Sequence, residues 1–301
     1  MSHAHHDHDG HSHPAPATYD KAFFISILAN GGFVVLQIIY AYIANSTSLL
    51  ADAFHNLGDV LGLILAWIAM GLMKKKPTER RTYGLKKTSI LAALLNGCLL
   101  IFTCGIIATE AVYKFITPSE TQALSVMIVA GIGIIVNGTT ALLFLKGSDD
   151  LNIRGAYLHL FYDALVSVGV VLSAAVLYYT HWLWLDPVVG LLIALVILKG
   201  TWSLFADSFR LIIDGVPSSI SLTEVSNYFL AKPGVKGLHD LHIWAMSTQE
   251  NALSVHLYMP EEHLTDVLRA QWIGELEEQF GIQHVTIQIE RTDVNCNDTC
   301  H

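Results

Sequence analysis

The stretch LLADAFHNLGD, residues 49–59, decides how the chain is read. It opens an apolar run that continues to Met73. A helix needs about 20 apolar residues to cross a bilayer, and this run supplies them. Yet it carries Asp52, His55, Asn56 and Asp59. Ionisable groups are costly in hydrocarbon, and inside a span they are functional candidates by default. His55 and Asp59 stand four apart, which sets both side chains on one helical face.

Working outward, similar runs lie near 21–43, 50–73, 88–112, 122–145, 155–180 and 183–206. The composition agrees: 52% of the 301 residues are hydrophobic and 14% are charged, against roughly 25% charge in a soluble domain. The expected fold is therefore a polytopic α-helical membrane protein with six transmembrane helices. The formal charge of −9 says less than its distribution. Lys74, Lys75, Lys76, Arg80, Arg81, Lys86 and Lys87 fill the loop after the second run, and Lys146 and Arg154 the loop after the fourth. The opposite loops hold only Lys114. Basic loops stay on the cytoplasmic side, so both termini are expected there. Cys98 and Cys104, inside an apolar run, read as small hydrophobes.

The fifth run contains HLFYDA, which gives His159 and Asp163 the same four-residue spacing. Two helices each offer one imidazole and one carboxylate. Packed face to face, they supply two nitrogens and two oxygens, a set suited to a borderline divalent cation, zinc above all. Imidazole binds metal only when neutral, so binding displaces protons and release lets them return. Four protein ligands leave no open position for a catalytic water. The chain thus reads as a carrier of divalent cations and protons and not an enzyme. The competing readings are an intramembrane metal hydrolase and a metal sensor. The first needs a spare carboxylate, and Glu110 is the only glutamate inside a span. Asp52 reads equally as a vestibule residue or as a cap of the second helix.

Three domains are expected: a His-rich tail at 1–20, a transmembrane domain at 21–209 and a cytoplasmic α+β domain at 210–301. The tail holds six of the fifteen histidines, reads as disordered, and is suited to loose metal capture that transport does not require. In the last domain, 220–230 and 263–280 read as helices, and 237–246, 252–259 and 284–290 as strands. His239, His242, His256, His284 and Glu290 lie on or beside those strands, and Cys296, Cys300 and His301 end the chain. They read either as a second, cytosolic metal site or as surface histidines and a frayed tail. In a cytoplasmic domain the terminal cysteines favour metal over a disulfide.

At this point SLLADAFHNLGD, HLFYDALVSVGV, LDPVVG and LHDLHIW together resemble the cation diffusion facilitator family, from about residue 20 to 300 and most closely its zinc branch. The resemblance implies a homodimer that exports zinc from the cytosol by proton antiport, alternating access around His55, Asp59, His159 and Asp163. It implies a ferredoxin-like, metallochaperone-like C-terminal domain whose metal site falls on His239, His256, His284 and Glu290, with Cys296 and Cys300 as a further clip. Zinc is thus expected both as transported substrate and as a structural ion. The loop KKKPTERRTYGLKK has no His or Asp, so no metal site is expected there. The short KGSDDLN loop fits a bacterial origin and an inner or plasma membrane. Nucleic acid is not expected as a partner.

Overall fold

The computed structural model describes residues 17–144, 151–261 and 264–292. Six long helices come first: α1 (Ala17–Ile43), α2 (Thr47–Met73), α3 (Thr88–Ile116), α4 (Ala123–Phe144), α5 (Leu151–Thr180) and α6 (Leu185–Ile212). There follow α7 (Leu222–Leu230), β1 (Gly237–Ala245), β2 (Asn251–Tyr258), α8 (Asp266–Phe280) and β3 (His284–Glu290). Among the described residues, five helices are long and apolar enough to cross a membrane, and α1 contributes a shorter apolar stretch, Ile27–Ile43. All six coincide with the runs read from the sequence. α1, α2 and α5 begin earlier than those runs and α3 and α6 end later, because hydropathy marks only the apolar centre of a helix. The last turn of α6, for example, carries Asp207 and Arg210. α1 starts at Ala17, before the expected tail boundary, and residues 1–16 lie outside the described ones.

The chain packs as two compact units. The first comprises Met1–Val60 and Cys104–Leu195. Its core is made of Phe33, Leu49, Val126, Val129, Val170 and small alanines. Lipid tails are as apolar as leucine, so helix association rests on close contact through small residues. Gly133 of α4 shows this: a Cβ there would lie 2.8 Å from the Phe33 ring of α1. Where α2 begins, Asp186 accepts hydrogen bonds from the Thr47 backbone N–H at 2.6 Å and from the Ser46 and Ser48 hydroxyls at 2.6 Å each. Ser46 Oγ also accepts the Leu49 N–H at 3.1 Å. The free N–H groups of the first turn of α2 are thus capped, from α6 and from within. Lys114 stands 3.5 Å from the same carboxylate and donates to the Asn45 carbonyl at 2.5 Å. Gly190 sits so close to Thr47 that a Cβ would lie 2.8 Å from its backbone carbon.

The second unit comprises Leu61–Thr103 and Val196–His301. Its C-terminal part is a three-stranded sheet in the order β1-β2-β3, with β1 antiparallel and β3 parallel to β2. This is the αββαβ order expected from alternation. Val225 and Phe229 of α7 and Trp272 and Leu276 of α8 pack with Ile243, Leu253, Val255 and Leu257 in one core. Ser221 caps α7 and Thr265 caps α8, and Gly281 ends α8 in the left-handed conformation, φ 65°. These are the residue types that such positions select. Between the helices, Glu275 accepts from Tyr228 Oη at 2.8 Å and from the Lys232 ammonium. Those donors hold its carboxyl low, at about 2, with the lysine bond the largest cause. Burial, followed by the hydrogen bond to Glu275, pushes the Tyr228 phenol up.

Register carries one irregularity. Leu238 and Ile243 both join the core, although they are five apart and simple alternation would send them to opposite faces. A bulge between His239 and His242 resolves this, with Asp240 at φ 49°. It turns His239 directly opposite His256 on the sheet face away from that core.

Candidate metal centres

The four residues singled out in α2 and α5 meet. His55 Nε2 lies 3.1 Å from Asp163 Oδ1, and His159 Nε2 lies 3.3 Å from Asp59 Oδ2. The helical pairs close the ring: His55 Nδ1 to Asp59 Oδ2 is 3.8 Å, and His159 Nε2 to Asp163 Oδ2 is 3.6 Å. A tetrahedral zinc with bonds of about 2.0–2.1 Å sets its ligand atoms roughly 3.3 Å apart. The single edges are near that length, but His55 offers Nε2 to Asp163 and Nδ1 to Asp59, and Asp163 offers Oδ1 to His55 and Oδ2 to His159, so the four contacts do not share one atom per residue. One donor atom each from His55, Asp59 and Asp163 falls within a 4.8 Å cluster, and His159 joins through both carboxylates. Asp163 is buried, whereas His159 is half exposed. Asp59 Oδ2 is a buried oxygen that accepts no hydrogen bond. Such an atom is costly unless something positive faces it, so the donor set fits a cation.

Behind the ring, Asp52 is fully buried. It accepts from Gln37 Nε2 at 2.6 Å and Ser167 Oγ at 3.2 Å, while Asn56 Nδ2 donates to Gln37 Oε1 at 3.1 Å. Asp52 does not cap α2; Ser46 and Asp186 do. It belongs instead to a polar network that links α1, α2 and α5. Nothing in the sequence pointed to Gln37 or Ser167 as its partners, because contacts between separate helices leave no spacing signal. Of the other polar residues in the spans, Asn137 is buried with both amide atoms unpartnered.

The second cluster lies on the open face of the sheet. His256 Nδ1 is 3.0 Å from Glu290 Oε1, and His239 Nε2 is 3.3 Å from Glu290 Oε2. The two imidazoles meet edge to face with centroids 5.1 Å apart. Gln288 Nε2 donates to Glu290 Oε1 at 2.9 Å. Glu290 Oε2, like Asp59 Oδ2, is buried and accepts no hydrogen bond. These three residues fit a metal ion as well as the helical ring does. His284 is not with them. It pairs in register with Ala252, at the other end of β3 from Glu290, and stands 3.5 Å from Glu250. Six residues of strand separate it from Glu290 by about 20 Å. His242, opposite Ser254, is exposed and outside the cluster. Cys296, Cys300 and His301 lie outside the described residues.

Membrane-spanning helices that bring two His/Asp pairs within 3.1–3.8 Å of one another define a multi-pass membrane protein whose donor types fit a divalent cation. Comparison with known proteins gives the family. The cation efflux transmembrane domain matches residues 23–213, and the cation efflux protein cytoplasmic domain matches residues 217–292. The chain belongs to the cation efflux family. It is 34% identical over 297 residues to a cadmium, cobalt and zinc/H(+)-K(+) antiporter of Bacillus velezensis, covering 96% of this chain and 95% of that one. It is 31% identical over 273 residues to the zinc transporter ZitB of Escherichia coli, covering 90% and 87%. A solved metal-bound C-terminal domain of the CzcD transporter from Cupriavidus metallidurans is 38% identical, covering 24% of this chain and 99% of that one, with a TM-score of 0.21. The relatives are named as transporters or antiporters.

Proposed function

We infer that the chain exports zinc, or a related divalent cation, from the cytosol in exchange for protons. The observation that carries this reading is the four-sided ring of His55, Asp59, His159 and Asp163, whose edges suit either hydrogen bonds or a tetrahedral cation. Protons and metal compete for the same imidazole nitrogens, so each displaces the other. Access that alternates from one side of the membrane to the other turns this competition into exchange. The names of the relatives support the same reading.

In this reading, residues 21–209 form the transmembrane domain with both termini cytoplasmic, and 210–301 form a regulatory and dimerisation domain, consistent with the cytoplasmic-domain match. His239, His256 and Glu290 hold a resident zinc there. A tetrahedral ion needs a fourth donor, and Cys296 or Cys300 follows Glu290 closely enough to supply one. The ion would tie β1, β2 and the C-terminal segment together.

The test is zinc-dependent proton flux in proteoliposomes carrying the purified chain. Flux should follow an imposed zinc gradient and disappear in Asp163→Ala with helix content intact. A protein that binds zinc yet moves no protons under any gradient overturns the reading.

A further inference from the structure

The loop KKKPTERRTYGLKK, residues 74–87, takes no part in either metal centre, yet it carries seven cations and a single acid. It joins the end of α2 to the start of α3, so it lies where two membrane helices leave the bilayer. The loop is structured. Thr78 and Arg81 exchange both backbone hydrogen bonds at 3.0 Å, and the Gly84 N–H donates to the Arg81 carbonyl at 2.9 Å. Gly84 is left-handed, φ 71°, with the Lys75 carbonyl 3.2 Å from where a Cβ would stand. Lys86 pairs with Glu250, and Lys87 with Asp214 at 2.5 Å. Among the described residues, no carboxylate pairs with Lys74, Lys75, Lys76, Arg80 or Arg81.

Arg80 and Arg81 border a cavity of about 430 Å³, within the usual range of small-molecule sites. Its other walls are of a different kind. Tyr83 and Trp244 are aromatic, and Leu91 and Ile212 are apolar residues on the ends of α3 and α6. A free phosphate has no use for such walls, and an acidic peptide has no reason to meet the ends of membrane helices. An amphiphile uses both halves, its charged group on the guanidinium pair and its first carbons on the helix ends. Basic pockets beside membrane helices and interfacial aromatics suit such ligands.

We propose that this cavity binds the headgroup of an anionic glycerophospholipid from the leaflet facing the loop. That leaflet is the cytoplasmic one under the orientation given above, on which the proposal rests. The loop recognises the phosphate through Arg80 and Arg81, while Lys86 and Lys87, already paired, hold its frame in place.

The experiment is native mass spectrometry of the full chain in mild detergent, titrated with dioleoyl phosphatidylglycerol, dioleoyl phosphatidylcholine or soluble glycerol phosphate. It needs neither metal nor a proton gradient, so it can fail while the transport reading stands, and the reverse. The chain should retain one phosphatidylglycerol in preference to phosphatidylcholine. Arg80→Gln with Arg81→Gln should weaken retention roughly thirtyfold. The charge-matched pair Lys74→Gln with Lys75→Gln, outside the cavity, should weaken it less than about threefold. Trp244→Ala, which alters no charge, should also weaken it. Equal retention of the neutral lipid, equal loss in both double variants, or displacement of the lipid by glycerol phosphate would each overturn the proposal.

Discussion

His159 Nε2 on α5 stands 3.3 Å from Asp59 Oδ2 on α2, a buried oxygen that accepts no hydrogen bond. The two residues are a hundred positions apart in sequence, and neither helix needs the other to form. Their meeting is what makes two weak motifs into one site. The gap between them has the length of a ligand edge around a tetrahedral cation.

Zinc affinity at the ring should fall as the medium is acidified. Each imidazole that must lose a proton to bind costs about tenfold in affinity per pH unit below its titration point, so two cost about a hundredfold. Calorimetric titration at neutral and mildly acidic pH reads this directly. Equal affinity at both would mean that His55 and His159 are not ligands.

The two candidate centres also differ in a way that mutants can expose. His239→Ala removes one of the three donors on the sheet, and zinc binding by the C-terminal domain should weaken by tenfold or more, on the order of what supporting groups around metals contribute. His284→Ala, at the far end of β3, should leave that binding unchanged. Comparable losses from both would place His284 back among the ligands, for instance across a dimer.

The Asp186 carboxylate should be among the costliest in the membrane helices to remove. Asp186→Ala strands the buried Lys114 and uncaps α2. Breaking a buried pair in this way costs about 3–5 kcal/mol. Thermal unfolding in detergent should register the loss, and Lys114→Met in the same chain should recover part of it. An unchanged melting temperature for the single variant would show that the pair carries no stability.

Acid should loosen α7 from α8. The Glu275 carboxyl titrates at about 2 against an ordinary 4.5. A lowered value means that the folded state gains stability from the ionised form. That gain is complete above about pH 4.5 and is lost as the pH falls toward 2. Protection of the α7 and α8 amides, referred to the intrinsic exchange rate at each pH, should therefore fall across that window in the native chain. In Glu275→Gln the dependence should flatten; an unaltered acid limb would assign it elsewhere.

Much of the architecture was legible because it is periodic. The His55/Asp59 and His159/Asp163 spacings follow from the helical repeat, and the strands of the C-terminal part follow from alternation. What escaped is whatever depends on two distant segments meeting. Asp186 caps a helix that starts 139 residues before it, so the sequence offered Asp52 for a role that Asp186 fills. Asp52 in turn finds Gln37 and Ser167 on other helices. The bulge at Asp240 escaped for a different reason. It breaks the period by one residue, and only the pairing with β2 shows why Leu238 and Ile243 share a face. His284 came with Glu290 from the family resemblance; their shared strand and parity set the face and leave the distance open.

The knot of Ser46, Thr47, Asp186 and Gly190 fixes the first turn of α2 against α6. A rigid helix held at one end is a lever. Asp59 lies twelve residues along it, about 18 Å from the fulcrum. A tilt of roughly 10° that leaves the knot intact moves Asp59 by about 3 Å. Small angular motion at the anchored end is thus geared into a shift about as long as the contacts between Asp59 and the two imidazoles.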